Sequence, residues 1–448
     1  MTASEPHSVE SAPAGGESTA ERILAAGMAA FAREGYAGAT SALLGEVVTL
    51  YVRTTAPGFT AAVYRMGYYG GTYARLVWTS DLVAAVAQPT ATFDRKTGMV
   101  EARWLPTLEL TVGTDWVPGD YLIKLTSSEN HQSYIPLTVR DAATSASLLL
   151  VNAVATWQAY NKWPEQHSLY DTDEPKRPWN ADTWVSYDRP YGLYPQVVNQ
   201  PLSTGSGEFL LWEFPLCFWL EREGYDVTYI ANADTHADAK GLGRARCFLS
   251  VGHDEYWSLE MYENVRAAVE RGLSVAFLCG NSVSGVVPLS LRNSEGRPHR
   301  LLYRQGMFGG ASSRNATEKW ERHGPDEALL IGARTMFPAN GSGNWTVTRA
   351  GHWIFEGTGL RDGDSIPGLV GWEHHGDPAS LPGLEVIAAG ETLKAEGSRS
   401  TYAATVYPGP AGNWVFNAAT IFWSLGLSQP PGFAPPYAHL GQIGRAHV

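Results

Sequence analysis

Ala245-Arg246-Cys247-Phe248-Leu249-Ser250-Val251-Gly252-His253-Asp254-Glu255-Tyr256-Trp257-Ser258 opens the stretch that decides the fold, and Ser274-Val275-Ala276-Phe277-Leu278-Cys279-Gly280-Asn281-Ser282 closes it. The apolar run Cys247–Val251 stops at Gly252, and polar and aromatic side chains follow at once. Ser258 is a good N-cap, and Met261, Val265 and Val269 recur at helical spacing up to Gly272. A second apolar run, Val275–Cys279, stops at Gly280-Asn281. The pattern predicts a strand–helix–strand unit of a parallel sheet. Ligands of open α/β sheets sit outside the carboxyl ends of the strands. His253, Asp254 and Glu255 are therefore the candidate catalytic residues, with Tyr256 beside them.

The rest of the chain sets bounds around this unit. At 448 residues it is too long for a single compact core. A net charge of −12 argues against nucleic acid and anionic membrane surfaces as partners. No apolar run reaches the roughly 18 residues of a membrane span; the densest, Phe209–Leu220, is interrupted by Glu213 and Pro215. Cys217, Cys247 and Cys279 lie within apolar segments at no metal-like spacing and read as buried, reduced thiols.

Both ends read as foreign to the remainder. Residues 1–20 are polar without a charged-then-apolar leader, which points to the cytoplasm unless a natural signal peptide is missing. Thr19–Thr40 predicts an amphipathic helix and resembles the first helix of tetracycline-repressor-type regulators. No recognition helix follows it, so a DNA-binding reading fails. Gln442-Ile443-Gly444-Arg445-Ala446-His447-Val448 resembles a translated sequencing adapter, and the natural chain is expected to continue beyond about Leu440 with a final element missing here.

Four segments result. Residues 1–42 are a foreign or disordered segment with one helix. Residues 43–141, where Val47–Arg53, Ala61–Met66, Asp120–Thr126 and Ser133–Arg140 alternate between Gly, Pro and Asn turns, predict an immunoglobulin-like β-sandwich. Residues 147–440 predict a doubly wound α/β domain. It begins with Leu148–Ala155, apolar throughout as a strand buried on both faces should be, and continues with a helix over Phe209–Glu223 and a strand over Tyr225–Ile230. Trp345–Thr348, Leu384–Ala389, Thr401–Tyr407 and Asn413–Asn417 read as β-rich additions to it, and Thr420–Leu427 as a final helix. Residues 441–448 are the adapter-like tail.

Several motifs occur together in this order: Arg65-Met66-Gly67-Tyr68-Tyr69-Gly70-Gly71, Thr156-Trp157-Gln158-Ala159-Tyr160-Asn161, Ser168-Leu169-Tyr170, Ser186-Tyr187-Asp188-Arg189-Pro190-Tyr191, Gly252-His253-Asp254-Glu255-Tyr256-Trp257 and Leu369-Val370-Gly371-Trp372-Glu373. With them the chain resembles the large (β) subunit family of N,N-dimethylformamidase from about Leu44 to Leu427. The resemblance implies an α/β domain similar to class I glutamine amidotransferases without their cysteine nucleophile. It also implies one ferric ion held by two tyrosines and a glutamate. Tyr256 matches one tyrosine and Glu373 the glutamate. Leu211–Leu220, where the second tyrosine is expected, has none, and Glu213 is its strong ligand type. Gly371-Trp372 stand where a histidine is expected, and His374 and His375 follow.

The expected metal ligands are thus Tyr256, Glu373 and Glu213. A trivalent cation can remove the proton of a phenol whose pKa is near ~10. A carboxylate on the apolar Glu213 helix needs a partner to offset its burial. Tyr160, Asn161, Tyr187, Asp188, Arg189 and Asn281, in loops after parallel strands, are the expected substrate-binding residues. Two functions remain open: an amidohydrolase acting on a small or surface-attached amide, or a non-catalytic protein binding carbohydrate or cell-surface polymers. A small partner subunit or homo-oligomer is compatible with either.

Overall fold

Alternating apolar residues build the first part of the chain into two facing sheets. The computed structural model describes residues 34–428 except 38, 165–166, 172–182, 193–204, 293–297, 304, 310–321, 337–340, 372 and 395–396. Strands β1 (Glu34–Ala37), β2 (Ser41–Leu43), β3 (Val47–Arg53), β4 (Gly58–Tyr69), β5 (Thr72–Thr79), β6 (Leu108–Thr111), β7 (Gly119–Ser127) and β8 (Gln132–Arg140) are ordered β1-β3-β6 in one sheet and β2-β8-β7-β4-β5 in the other. Every second side chain points between them. Val48, Leu50 and Val52 meet Phe59, Ala61, Val63, Ile123, Leu125, Ile135 and Leu137 in one core.

The helix expected over Thr19–Thr40 does not extend through its last residues. Glu34–Ala37 is a strand antiparallel to β3, and Ser41–Leu43 pairs in parallel with β8. The cause is tertiary: a Cβ on Gly35 would come within 2.5 Å of Leu125, so this glycine lies flat on the sandwich core. Residues 1–33 and the adapter-like tail lie outside the described residues.

The following segment builds a nine-stranded sheet. Its elements are β9 (Ala146–Asn152), α1 (Val154–Tyr160), α2 (Glu213–Arg222), β10 (Val227–Ala231), β11 (Ala245–Gly252), α3 (Leu259–Glu270), β12 (Ser274–Cys279), β13 (Gly341–Thr346), β14 (Ser365–Val370), β15 (Glu385–Lys394), β16 (Arg399–Pro408), β17 (Trp414–Asn417) and α4 (Trp423–Leu427). The strand order is β10-β9-β11-β12-β17-β16-β15-β13-β14. The first five strands are mutually parallel and the last four antiparallel. The late strands are therefore not additions to the sheet, as the sequence suggested, but its second half. β17 pairs directly with β12.

Burial explains the continuous apolar runs. In β9, Leu148 and Leu150 enter one core, with Phe214 and Phe218 of α2. Leu149 and Val151 enter the other, with Met261, Val265 and Val269 of α3. Helices lie on both faces of these strands, so their inner residues meet apolar neighbours on either side. α3 begins where predicted, with Ser258 Oγ accepting the Met261 N–H at 3.1 Å.

Of the element boundaries that differ from expectation, two are set by identifiable hydrogen bonds. β9 ends at Asn152 rather than Ala155, because the Ala153 N–H donates to Glu213 and the Ala155 N–H to Asn232, which turns the chain into α1. α2 begins at Glu213 rather than Phe209. The N–H groups of Leu211 and Trp212 both donate to the Glu208 carbonyl and hold that segment in turns.

The sandwich is fastened to the large sheet by polar contacts. Arg65 forms a two-pronged ion pair with Glu221 of α2, and Asp120 accepts from Asn152 at the end of β9. Tyr73 packs edge-on against Phe214 and Phe218. No described helix is long and apolar enough to cross a membrane.

Candidate functional site

The turn after β11 carries the chemistry. Gly252 has φ of 59°, and a Cβ there would come within 2.3 Å of the Trp212 Cβ, so both conformation and space require glycine. Asp254 anchors the turn: its carboxylate accepts from Ser250 Oγ at 2.8 Å and from Asn232 Nδ2 at 3.2 Å. Burial raises its pKa to about 6, and those hydrogen bonds hold it back from going further. The Glu255 carbonyl accepts the Ser284 and Gly285 N–H groups, and the Tyr256 N–H donates to Thr156 Oγ1.

His253 sits at the centre, fully buried, against three carboxylates. Its Nδ1 lies 3.1 Å from Glu208 Oε2, and its Nε2 lies 3.2 Å from Glu255 Oε2 and 2.9 Å from Glu373 Oε2. Glu373 arrives from the segment after β14, where its carbonyl accepts the Ile421 N–H and lies so close to Gly280 that a Cβ there would be 2.2 Å away. Among the described residues, no lysine or arginine pairs with Glu208, Glu255 or Glu373.

Three phenols complete the cluster. Tyr160, from the end of α1, donates to Glu255 Oε2 at 2.6 Å, and its oxygen is 2.6 Å from that of Tyr170. Tyr170 in turn hydrogen-bonds the Tyr256 hydroxyl. The Tyr160 and Tyr170 rings stack with centroids 4.6 Å apart.

The electrostatics follow from burial of too many carboxylates. Burial lowers the His253 pKa, but the charges of Glu373 and Glu208 outweigh it and the net shift is well upward. Burial pushes Glu373 up to about 7 despite the opposing effect of His253. Burial and the Glu255 charge push Tyr160 well above the usual phenol range. One histidine faces three carboxylate side chains, and a negative excess in a buried site calls for protons or a cation.

Among the described residues, the group of three His, Cys, Asp or Glu side chains whose ligand atoms all lie within 4.8 Å of one another is His253, Glu255 and Glu373. Of the ligands expected from the sequence, Glu373 belongs to this group. Tyr256 adjoins it through Tyr170. Glu213 does not belong: its Oε1 accepts from the Ala153 N–H at 3.1 Å and from Trp157 Nε1 at 3.0 Å, which is the partner its apolar helix demanded. His375 following Glu373 is structural, with Nδ1 donating to Asn417 and Nε2 accepting from Ser282 N–H.

The expected substrate-binding residues divide. Tyr160 joins the cluster. Asn161 bonds Pro190, Trp163 and Gly192 within its own loop. Arg189 donates to the backbone carbonyls of Ser186, Trp163, His167 and Gln158. Tyr187 is buried and Asp188 is half-buried, its carbonyl accepting the Ala102 N–H. Asn281 occupies a left-handed turn position after β12, with φ of 56°. Sequence reasoning gave no role to Glu208 and Tyr170. Tyr170 stood in a recognised motif, and Glu208 was legible only as a lone acid before the apolar run from Phe209.

An open α/β sheet with a buried His/Glu/Tyr cluster at its carboxyl edge defines the class. The chain belongs to the N,N-dimethylformamidase beta subunit-like, C-terminal family, whose model matches residues 60–437. No curated protein matches the sequence. Two solved structures are similar over part of it. One is an uncharacterized protein from Bacillus anthracis str. Ames, at 9% identity and TM-score 0.15, covering 23% of this chain and 78% of that one. The other is murine CEACAM1b, at 15% identity and TM-score 0.14, covering 26% and 57%.

Proposed function

We propose that this chain is an amidohydrolase of small or surface-attached amides that depends on one hard metal ion, ferric iron by the family resemblance. The observation that carries this reading is the buried group of His253, Glu255 and Glu373, whose ligand atoms lie within 4.8 Å of one another. Its fit to a cation rests on charge: the carboxylates around His253 outnumber it, and Glu373 Oε2 has no hydrogen-bond partner beyond its ion pair with His253. A nitrogen and oxygen donor set suits a hard ion. His253 and Glu373 would hold it, with Tyr256 as the phenolate ligand and Glu255 beside them as a base outside the ligand set. When bound, such an ion supplies Lewis acidity toward an amide carbonyl and toward water.

The protein groups supply the rest. Glu255, which accepts from Tyr160 and faces His253, is the general base we assign; it takes a proton from water and returns it to the leaving amine. Tyr160 and Tyr170 form a hydrogen-bonded row beside it that restricts water and orients a carbonyl oxygen. Asp254 keeps the turn rigid through Ser250 and Asn232.

The five parallel strands covered by helices on both faces support the amidotransferase-like reading of residues 147–440, and the two facing sheets support the immunoglobulin-like reading of 43–141. The family's description as beta subunit-like favours a small partner subunit. One observation favours the second reading, a non-catalytic glycan-binding protein. Trp353 and Trp414 are 50% and 37% exposed and tilted against one another, which leaves aromatic surface open to a sugar ring.

The test is Tyr256→Phe in iron-loaded protein. A tyrosinate on ferric iron gives a visible charge-transfer band, and the variant should lose that band together with hydrolysis of N,N-dimethylformamide. A band and activity unchanged in the variant would remove Tyr256 from the centre.

A further inference from the structure

We propose that Glu208 is the positioning residue of the centre: it accepts the Nδ1–H of His253 and so commits Nε2 to the side of Glu255 and Glu373. The inference rests on the metal-centre reading above and adds to it a residue outside the ligand set.

The segment Gly205-Ser206-Gly207-Glu208 is built to deliver this side chain. Gly205 and Gly207 have φ of 71° and 62°, in the left-handed region that favours glycine. A Cβ on Gly207 would press on the Trp157 ring at 3.0 Å. The Glu208 carbonyl takes the Leu211 and Trp212 N–H groups, which fixes its backbone from the other side. The side chain is 2% exposed, and its hydrogen bond is to His253 Nδ1 at 3.1 Å.

A glutamate buried for structural reasons alone would meet a backbone N–H or an arginine, as Glu221 meets Arg65. Glu208 instead meets the ring of His253, and no lysine or arginine pairs with it among the described residues. A carboxylate buried without a cationic side chain of lysine or arginine is costly, and the return for Glu208 is one oriented histidine. With Glu208 Oε2 as the acceptor at 3.1 Å, the proton of this hydrogen bond sits on Nδ1. Nε2 is left for the ligand side, 3.2 Å from Glu255 and 2.9 Å from Glu373. Carboxylate–histidine pairs of this kind set the tautomer and ring angle of metal-binding imidazoles. Without Glu208, the neutral ring is free to carry its proton on Nε2 and donate it to Glu373, which blocks the ligand position.

The full chain is compared with Glu208→Gln, of the same size. Ferric iron is loaded and its retention titrated against nitrilotriacetate, and the metal-free proteins are studied by nitrogen-15 NMR of the histidine rings, with His253→Asn for assignment. The expected result is a 10- to 100-fold loss of iron retention in Glu208→Gln. The metal-free wild type should show a protonated, hydrogen-bonded Nδ1 at His253 that the variant perturbs. Wild-type protein that retains iron while Glu208→Gln retains it equally would overturn the positioning role alone. So would an unprotonated Nδ1 in the wild type, a reading that does not depend on the variant's folding. Wild-type protein that retains no iron would overturn the metal-centre reading and this role with it.

Discussion

Glu213 and Glu373 are two buried glutamates that looked alike in the sequence and differ in their surroundings. Glu373 faces His253 and lies within the three-residue group. Glu213 has its own donors in Ala153 and Trp157, and burial pushes its pKa upward against those hydrogen bonds. Glu213→Gln should therefore keep the wild-type metal content, and Glu373→Gln should lose most of it, as measured by elemental analysis of folded protein. Equal loss in both would restore Glu213 to the ligand set. Hydropathy could say only that a carboxylate on an apolar helix needs a partner. It could not separate a tryptophan N–H from a metal, because Trp157 and Glu213 are brought together by folding. Glu208 and Tyr170 were missed for the same reason: each reaches the cluster from a loop whose course no local pattern encodes.

The turn after β11 is the element on which the site depends. Gly252→Ala places a Cβ against Trp212 at 2.3 Å in a left-handed backbone conformation. Backbone strain of about 1–3 kcal/mol adds to the overlap. The expected outcome is a lower melting temperature together with faster amide exchange at Asp254–Tyr256, while the first turn of α3 keeps its protection. Unchanged exchange there would mean that the turn tolerates the substitution. This unit was the most legible part of the chain: strand end, N-cap and second strand fall where periodicity put them. Element ends set by tertiary donors were not legible. β9 stops at Asn152 because Glu213 and Asn232, far along the chain, capture the next N–H groups. The strands after Arg300 alternate as β-rich additions would, and only their pairing through β17 shows that they complete the main sheet.

At the scale of the whole molecule, the sandwich and the large sheet meet through buried polar groups, and one of these makes stability depend on pH. Burial raises the Asp120 pKa from 3.8 to about 7, although Asn152 and Arg65 oppose the shift. The folded form then holds a proton that the unfolded chain gives up near pH 4. This stabilising contribution is complete below the unfolded value and is lost as pH rises through about 7. It is on the order of 4 kcal/mol. Asp120→Asn should remove that slope, so that the variant gains on the wild type between pH 5 and 8 in thermal unfolding; parallel pH profiles would contradict it. The same excess of buried carboxylate, larger around His253, underlies the functional reading. Its most direct test is the metal stoichiometry of the purified full-length protein after iron loading and desalting. One tightly held ion per chain is expected, with a melting temperature that falls when the ion is stripped. Protein that holds no metal, and whose melting temperature does not respond to iron, would contradict it.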